Sequence, residues 1–244
     1  EISLTIRANG SRNTNLVSKI PGAGQIFSGA GLYVSENGGS INEPFVYKYL
    51  GVNPVNGNLL FEDATGNPTE NPVQADKRRA GVNNLPKYQG GFGFDFSIKG
   101  FYASTLFTFA YDVARFDSDL GNLYSVGNIG QFNVTDDLLN AWTPTNTNTD
   151  VPRLNAANLG LGDTSDRFLR DASYIRMRNV QVGYNVPQKF LKGTFMTAVS
   201  FSLQGENLLT FSKWKGFDVE SSRTADVYQY PTPKLYTFGV DVKF

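Results

Sequence analysis

Residues 236–244 alternate without a break. Tyr236, Phe238, Val240, Val242 and Phe244 hold one parity, and Thr237, Gly239, Asp241 and Lys243 hold the other. Successive side chains of a strand face opposite sides of a sheet, so one face here is wholly apolar and the other carries two charges. A strand of a membrane barrel turns such an apolar face to lipid and its polar face to a wet lumen, with aromatics at both interfaces. The segment therefore reads as the closing strand of an outer-membrane β-barrel, with Asp241 facing the lumen.

Composition agrees. Only 40% of the 244 residues are hydrophobic, yet Phe and Tyr number 19 and 12. That is expected where half of each strand is polar and the interfaces carry aromatic girdles. No apolar run approaches the roughly 18 residues of a membrane helix. Lys plus Arg and Asp plus Glu are both 22, so no nucleic-acid partner is indicated. Cysteine and histidine are absent, which removes thiolate nucleophiles, the commonest general base and the commonest metal ligands. Neither an enzyme, a cofactor nor a metal site is expected.

Further segments alternate in the same way. Ile2, Leu4, Ile6 and Ala8 share a face, as do Phe92, Phe94, Phe96 and Ile98. Lys99-Gly100 makes a tight turn into Phe101, Ala103, Thr105, Phe107, Phe109, Tyr111 and Val113, giving a hairpin. Val180, Val182 and Tyr184 follow, ended by Pro187, while Ile175 and Met177 lie on the other parity. That phase change predicts a bulge, or an end to lipid contact, near Asn179 and leaves Arg176 and Arg178 as lumen-facing candidates. Phe195, Thr197, Val199, Phe201 and Leu203 form the next outward face.

The connections alternate in length. Lys99-Gly100 and 187–194 are short; 10–90, 114–173 and 206–234 are long and rich in Asn, Gly, Pro, Ser and Thr. Barrels of this class have short periplasmic turns and long extracellular loops, so the three long segments lie outside. Within the first, 44–51 and 58–62 suggest a small extra hairpin. About six membrane strands are too few for an aqueous lumen. Together with a first residue other than Met and no signal peptide, this makes 1–244 the expected C-terminal part of a barrel, with any plug domain elsewhere.

At this level of detail the chain resembles the SusC/RagA-like TonB-dependent outer-membrane transporters of Bacteroidetes. The resemblance rests on Tyr47-Lys48-Tyr49-Leu50-Gly51-Val52-Asn53-Pro54, on Leu85-Pro86-Lys87-Tyr88-Gln89-Gly90-Gly91-Phe92, and on Asp171-Ala172-Ser173-Tyr174-Ile175-Arg176-Met177-Arg178-Asn179-Val180. Gly205-Glu206-Asn207-Leu208-Leu209-Thr210, Lys215-Gly216-Phe217-Asp218 and Tyr230-Pro231-Thr232-Pro233-Lys234 complete it; Val219 stands where the family pattern has Pro. The resemblance implies a plugged barrel of about twenty-two strands. It also implies active import of oligosaccharides or oligopeptides, energy from the TonB complex through the plug, and a SusD-like surface lipoprotein as lid. The apolar parity ending in Phe244 resembles the signal read by the barrel-assembly machinery, besides contacting outer-membrane lipids.

Trp142, Trp214, Tyr228 and Tyr230 lie in long loops, where flat rings suit stacking on substrate or lid; the plainer alternative is loop packing. For Arg176 and Arg178 the choice is between touching plug or substrate and interior salt bridging. Asp163, Asp166 and Asp171 beside Arg167 and Arg170, and Glu206, Asp218 and Glu220 in the last loop, read as salt bridging, since no EF-hand spacing is present. The alternative from another class is a soluble or surface glycan-binding β protein without transport.

Overall fold

The computed structural model describes residues 2–22, 24–220 and 230–244. Six long strands carry the fold: β1 (Ile2–Arg12), β2 (Tyr88–Ile98), β3 (Phe101–Tyr111), β4 (Tyr174–Asn185), β5 (Ala198–Glu206) and β6 (Leu235–Lys243). They pair antiparallel in chain order, and a short strand, Thr210–Ser212, adds to the start of β4. Lys99 and Gly100 both adopt positive φ, 48° and 93°, as the two central residues of a type I′ hairpin turn require.

The register aligns the alternating faces across the whole sheet. One row runs Leu4, Phe96, Ala103, Val182, Leu203, Phe238, and a second runs Ile2, Ile98, Phe101, Tyr184, Phe201, Val240. On the other side the rows are Ser3, Ser97, Tyr102, Gly183, Ser202, Gly239 and Thr5, Asp95, Ser104, Gln181, Gln204, Thr237. A slip of one residue in any pairing would mix the faces. The apolar face stays uncovered: Leu4 is 61% and Phe238 65% exposed. Eleven-residue strands such as β1, at about 3.3 Å per residue and a tilt of about 45°, span roughly 25 Å, the height of a barrel's apolar band.

The bulge expected near Asn179 is present. Leu106 pairs with Asn179 and Phe107 with Met177, so Arg178 is the extra residue. It restores Met177 and Ile175 to the apolar face opposite Phe107 and Phe109.

Three boundaries differ from expectation. β3 stops at Tyr111, because Asp112 takes φ 56° and turns the chain; Val113 then joins a buried cluster with Ala110, Ala172 and Val219. β5 begins at Ala198, so Phe195 and Thr197 precede it, although the Thr197 N–H still donates to the Lys243 carbonyl at 2.7 Å. The extra hairpin pairs Lys48–Val52 with Leu59–Glu62 through a bulge at Leu50, but Glu43–Val46 instead joins Tyr33–Val34 and Arg78–Arg79 in another small sheet.

All three long connections leave the same end of the sheet, and the buried cores lie among them. Tyr47, Leu59 and Phe61 form one, packed by Tyr49 and Leu161; Leu138, Ala141 and Val151 form another. The first and second loops are stitched together by side chains reaching main chain. Asn158 accepts from the Leu59 N–H at 3.0 Å and donates to the Leu59 and Glu70 carbonyls at 2.9 Å each.

Candidate functional site

The polar face carries a wall of small and hydrogen-bonding groups. Arg7 bridges Asp95 at 2.9 Å, and the Ser104 hydroxyl donates to the same carboxylate at 2.8 Å, a chain across three strands. The Tyr102 ring lies across Gly183, where a Cβ would approach it to 2.3 Å, so glycine there sets how flat the wall is. Asp241 sits on this face opposite Ser200, as its parity requires.

Towards the long-loop end, β4 supplies two arginines whose direction follows from the bulge. Arg176 is 5% exposed. Its Nη2 meets Asp218 Oδ1 at 2.5 Å, its Nη1 meets Glu220 Oε2 at 2.5 Å, and its Nε donates to Thr210 Oγ1 at 3.0 Å. Arg178 donates from Nε to Thr108 Oγ1 at 2.8 Å and pairs with Glu220 Oε1, which also accepts from the Tyr174 hydroxyl at 2.6 Å. Asp218 further accepts from the Glu220 N–H at 3.0 Å, and from the Thr232 N–H at 2.9 Å and Oγ1 at 2.6 Å. Burial alone would raise its pKa, but the hydrogen bonds from Arg176 and Thr232 outweigh that and hold the carboxyl well below the usual range. Asp218 thus ties the Thr232 stretch of the last loop to Arg176 on the wall, and Glu220 adds a second anchor. These arginines are engaged in interior salt bridging.

The loop aromatics divide sharply. Trp142 is buried, donates its indole N–H to the Pro54 carbonyl at 3.1 Å, and packs on Gly57, whose φ is 77°. A Cβ at Gly57 would sit 2.6 Å from the Trp142 ring, so this contact is loop packing. Trp214 is half-buried against the Ala110–Val113–Ala172–Val219 cluster. Its Nε1 approaches Gly216, which also abuts the buried Asp117 carboxylate. Burial pushes the Asp117 pKa up. Tyr228 lies outside the described residues. Tyr230 is 94% exposed and lines an open cleft of about 440 Å³ with Phe217, Phe132, Leu123, Pro231 and Asp119. Phe132 and Phe217 were not singled out from sequence; isolated aromatics in long polar loops were the available signal.

The expected bridges of Asp163, Asp166 and Asp171 to Arg167 and Arg170 do not form among the described residues. The Arg167 guanidinium instead faces the rings of Tyr49, Tyr124 and Phe168 at 5.6, 5.3 and 4.9 Å. Asp166 accepts from the Tyr49 N–H at 2.7 Å and Asp171 from the Ser173 N–H at 2.9 Å. Backbone donors and aromatic faces meet the charges of Asp166, Asp171 and Arg167 in place of ion pairs.

No family model matches the chain. The TonB-dependent receptor P3 of Formosa agariphila is 31% identical over 97% of this chain and 26% of its own length. The TonB-dependent receptor P39 of the same organism is 26% identical over 77% of this chain and 19% of its own length. The RagAB peptide importer in its closed-closed state superposes over 100% of the chain with a TM-score of 0.87 at 27% identity, using 27% of that protein's chain. Another structure of the RagAB peptide transporter gives a TM-score of 0.88 at 25% identity.

By these likenesses the chain is similar, over its whole length, to a segment of the SusC/RagA-like TonB-dependent receptors. It spans about a quarter of the length of the P3 receptor, 26%, and its sheet is a segment of that family's β-barrel. The apolar rows and the Arg7–Asp95–Ser104 row lie on opposite faces of this sheet, and Asp218 belongs to the long loops at one end of it.

Proposed function

We propose that this chain is the C-terminal part of the barrel of an outer-membrane transporter that imports oligomeric nutrients, oligosaccharides or oligopeptides, with energy delivered by TonB through a plug domain. One observation carries the reading: across its middle rows a six-strand sheet keeps one face predominantly apolar and uncovered and the other predominantly polar, which suits lipid outside and a hydrated path inside. In this reading no covalent chemistry occurs on the chain. The wall lets substrate pass once the plug moves.

A SusD-like lipoprotein closes the mouth over the long loops. The open cleft of Tyr230, Phe217 and Phe132 offers flat rings to substrate or lid, with Asp119 at its edge as an acceptor. Peptide cargo is favoured over glycan by the likeness to a peptide importer across the whole chain. The test is uptake of labelled oligopeptides and oligosaccharides by cells carrying or lacking the transporter gene, with and without TonB. Uptake of either class that needs both genes supports import; growth and uptake independent of both would overturn it.

A further inference from the structure

The two short connections and the ends of β1 and β6 form one rim of the sheet, and its charge is one-sided. Lys99 lies in the β2–β3 turn, Lys189 and Lys192 in the β4–β5 connection, and Lys243 at the end of β6. Residues 98–101, 185–199 and 242–244 hold these four lysines and no Asp or Glu; Glu1, ahead of β1, lies outside the described residues. The four are exposed, and among the described residues none has an ion-pair partner. The chain as a whole has equal numbers of acids and bases, so the excess at this rim is a local segregation.

Exposed phenyl rings surround the same rim. Phe101, Phe190, Phe195 and Phe244 are 60%, 65%, 79% and 87% exposed. The rings of Phe195 and Phe244 lie 6.5 Å apart, and Lys189 Nζ sits 4.9 Å over the Phe190 ring. Phe101 and Phe244 continue the outward apolar parity, so these rings border the lipid-facing band. Aromatic rings at the edge of an apolar band with cations just beyond it match a bilayer interface, where rings sit at headgroup level and ammonium groups meet phosphates.

We infer that this rim binds the phosphate headgroups of anionic phospholipids in the leaflet that it borders. The inference rests on the membrane-barrel reading above and adds to it a lipid class and a place. An acidic protein segment would also meet the lysines, but it would leave the ring of exposed phenyl groups unexplained. A leaflet accounts for both.

The experiment uses the complete transporter purified in mild detergent and a variant with Lys99, Lys189 and Lys192, which lie in the two connections, all changed to Gln; Lys243, on the parity of Asp241, is left in place. Native mass spectrometry counts retained lipid after titration with phosphatidylglycerol or with zwitterionic phosphatidylcholine. Heat-modifiable gel mobility checks in parallel that both barrels are folded. Each lysine near an anionic surface is worth roughly fivefold in affinity, so the variant should lose phosphatidylglycerol at least about tenfold more than phosphatidylcholine. Equal retention of phosphatidylglycerol by a folded variant and the wild type would overturn the inference and leave the barrel standing. So would retention of both lipids alike by the wild type. A wild type without heat-modifiable mobility would overturn the barrel reading and the rim with it.

Discussion

Replacing Arg176 by Met should open the last loop without unfolding the sheet. The Arg176 and Asp218 side chains are 6% and 10% exposed and meet at 2.5 Å, so the pair is buried. Removing one partner of a buried pair costs about 3–5 kcal/mol. Asp218 keeps its bonds from Thr232 and the Glu220 N–H, and Glu220 keeps Arg178 and Tyr174, which places the loss near the lower end. About 3 kcal/mol corresponds to roughly a hundredfold in an opening equilibrium. The amides of Glu220 and Thr232 both donate to Asp218, so hydrogen exchange there reads the clamp directly. Their exchange should accelerate about a hundredfold while the β5–β6 ladder is unchanged. Arg178→Met should have a smaller effect, because Arg178 is 30% exposed and Glu220 retains Arg176. Equal acceleration by both variants, or an unmoved Thr232 amide, would refute the clamp.

Other expectations follow from the same geometry. Asp218 titrates below its unfolded value, so its contribution is fully present above about pH 4 and is lost as pH falls through the folded value. Thr232 protection, corrected for intrinsic exchange, should therefore be flat near neutrality and drop only in acid; a drop between pH 6 and pH 8 would contradict this. Val240→Arg places a cation in lipid and should cost roughly 2–4 kcal/mol of barrel stability. Asp241→Asn, on the lumen face, should leave assembly nearly intact, and equal losses of assembled barrel in outer-membrane fractions would show the faces misassigned. Gly57→Ala sets a Cβ 2.6 Å from the Trp142 ring at a φ of 77° and should loosen the first loop; limited proteolysis reads this, and an unchanged cleavage rate argues against the contact. Phe217→Ala with Tyr230→Ala should lower uptake while barrel yield stays constant, and unchanged uptake would remove the cleft from the transport path.

What could be read from sequence was what repeats every two residues. The faces of β1, β2, β3, β5 and β6 follow from alternation alone, and the phase change around Asn179 marked the bulge at Arg178 before any pairing was known. The loop cap was less legible because it is held by contacts far apart in the chain. Asn158 grips Leu59 across 99 residues and Asp166 caps Tyr49 across 117. Neither spacing leaves a periodic trace. By the same limit, sequence proximity pairs Arg167 with nearby acids, whereas three aromatic faces surround it. Trp142 and Tyr230 look alike as loop aromatics, yet one is buried beside Pro54 and Gly57 and the other is open.

The central claim is that one face of this sheet meets lipid and the other a wet lumen. The chain contains no cysteine, so, with any cysteine in the rest of the complete transporter replaced, single cysteines placed from residue 236 to 243 can each carry a spin label in outer-membrane vesicles. Accessibility to oxygen, which partitions into lipid, and to a water-soluble nickel complex should alternate with period two. Positions 236, 238, 240 and 242 should favour oxygen, and 237, 239 and 241 should favour the nickel complex. Loss of that alternation, with both parities equally open to the aqueous probe, would contradict the account.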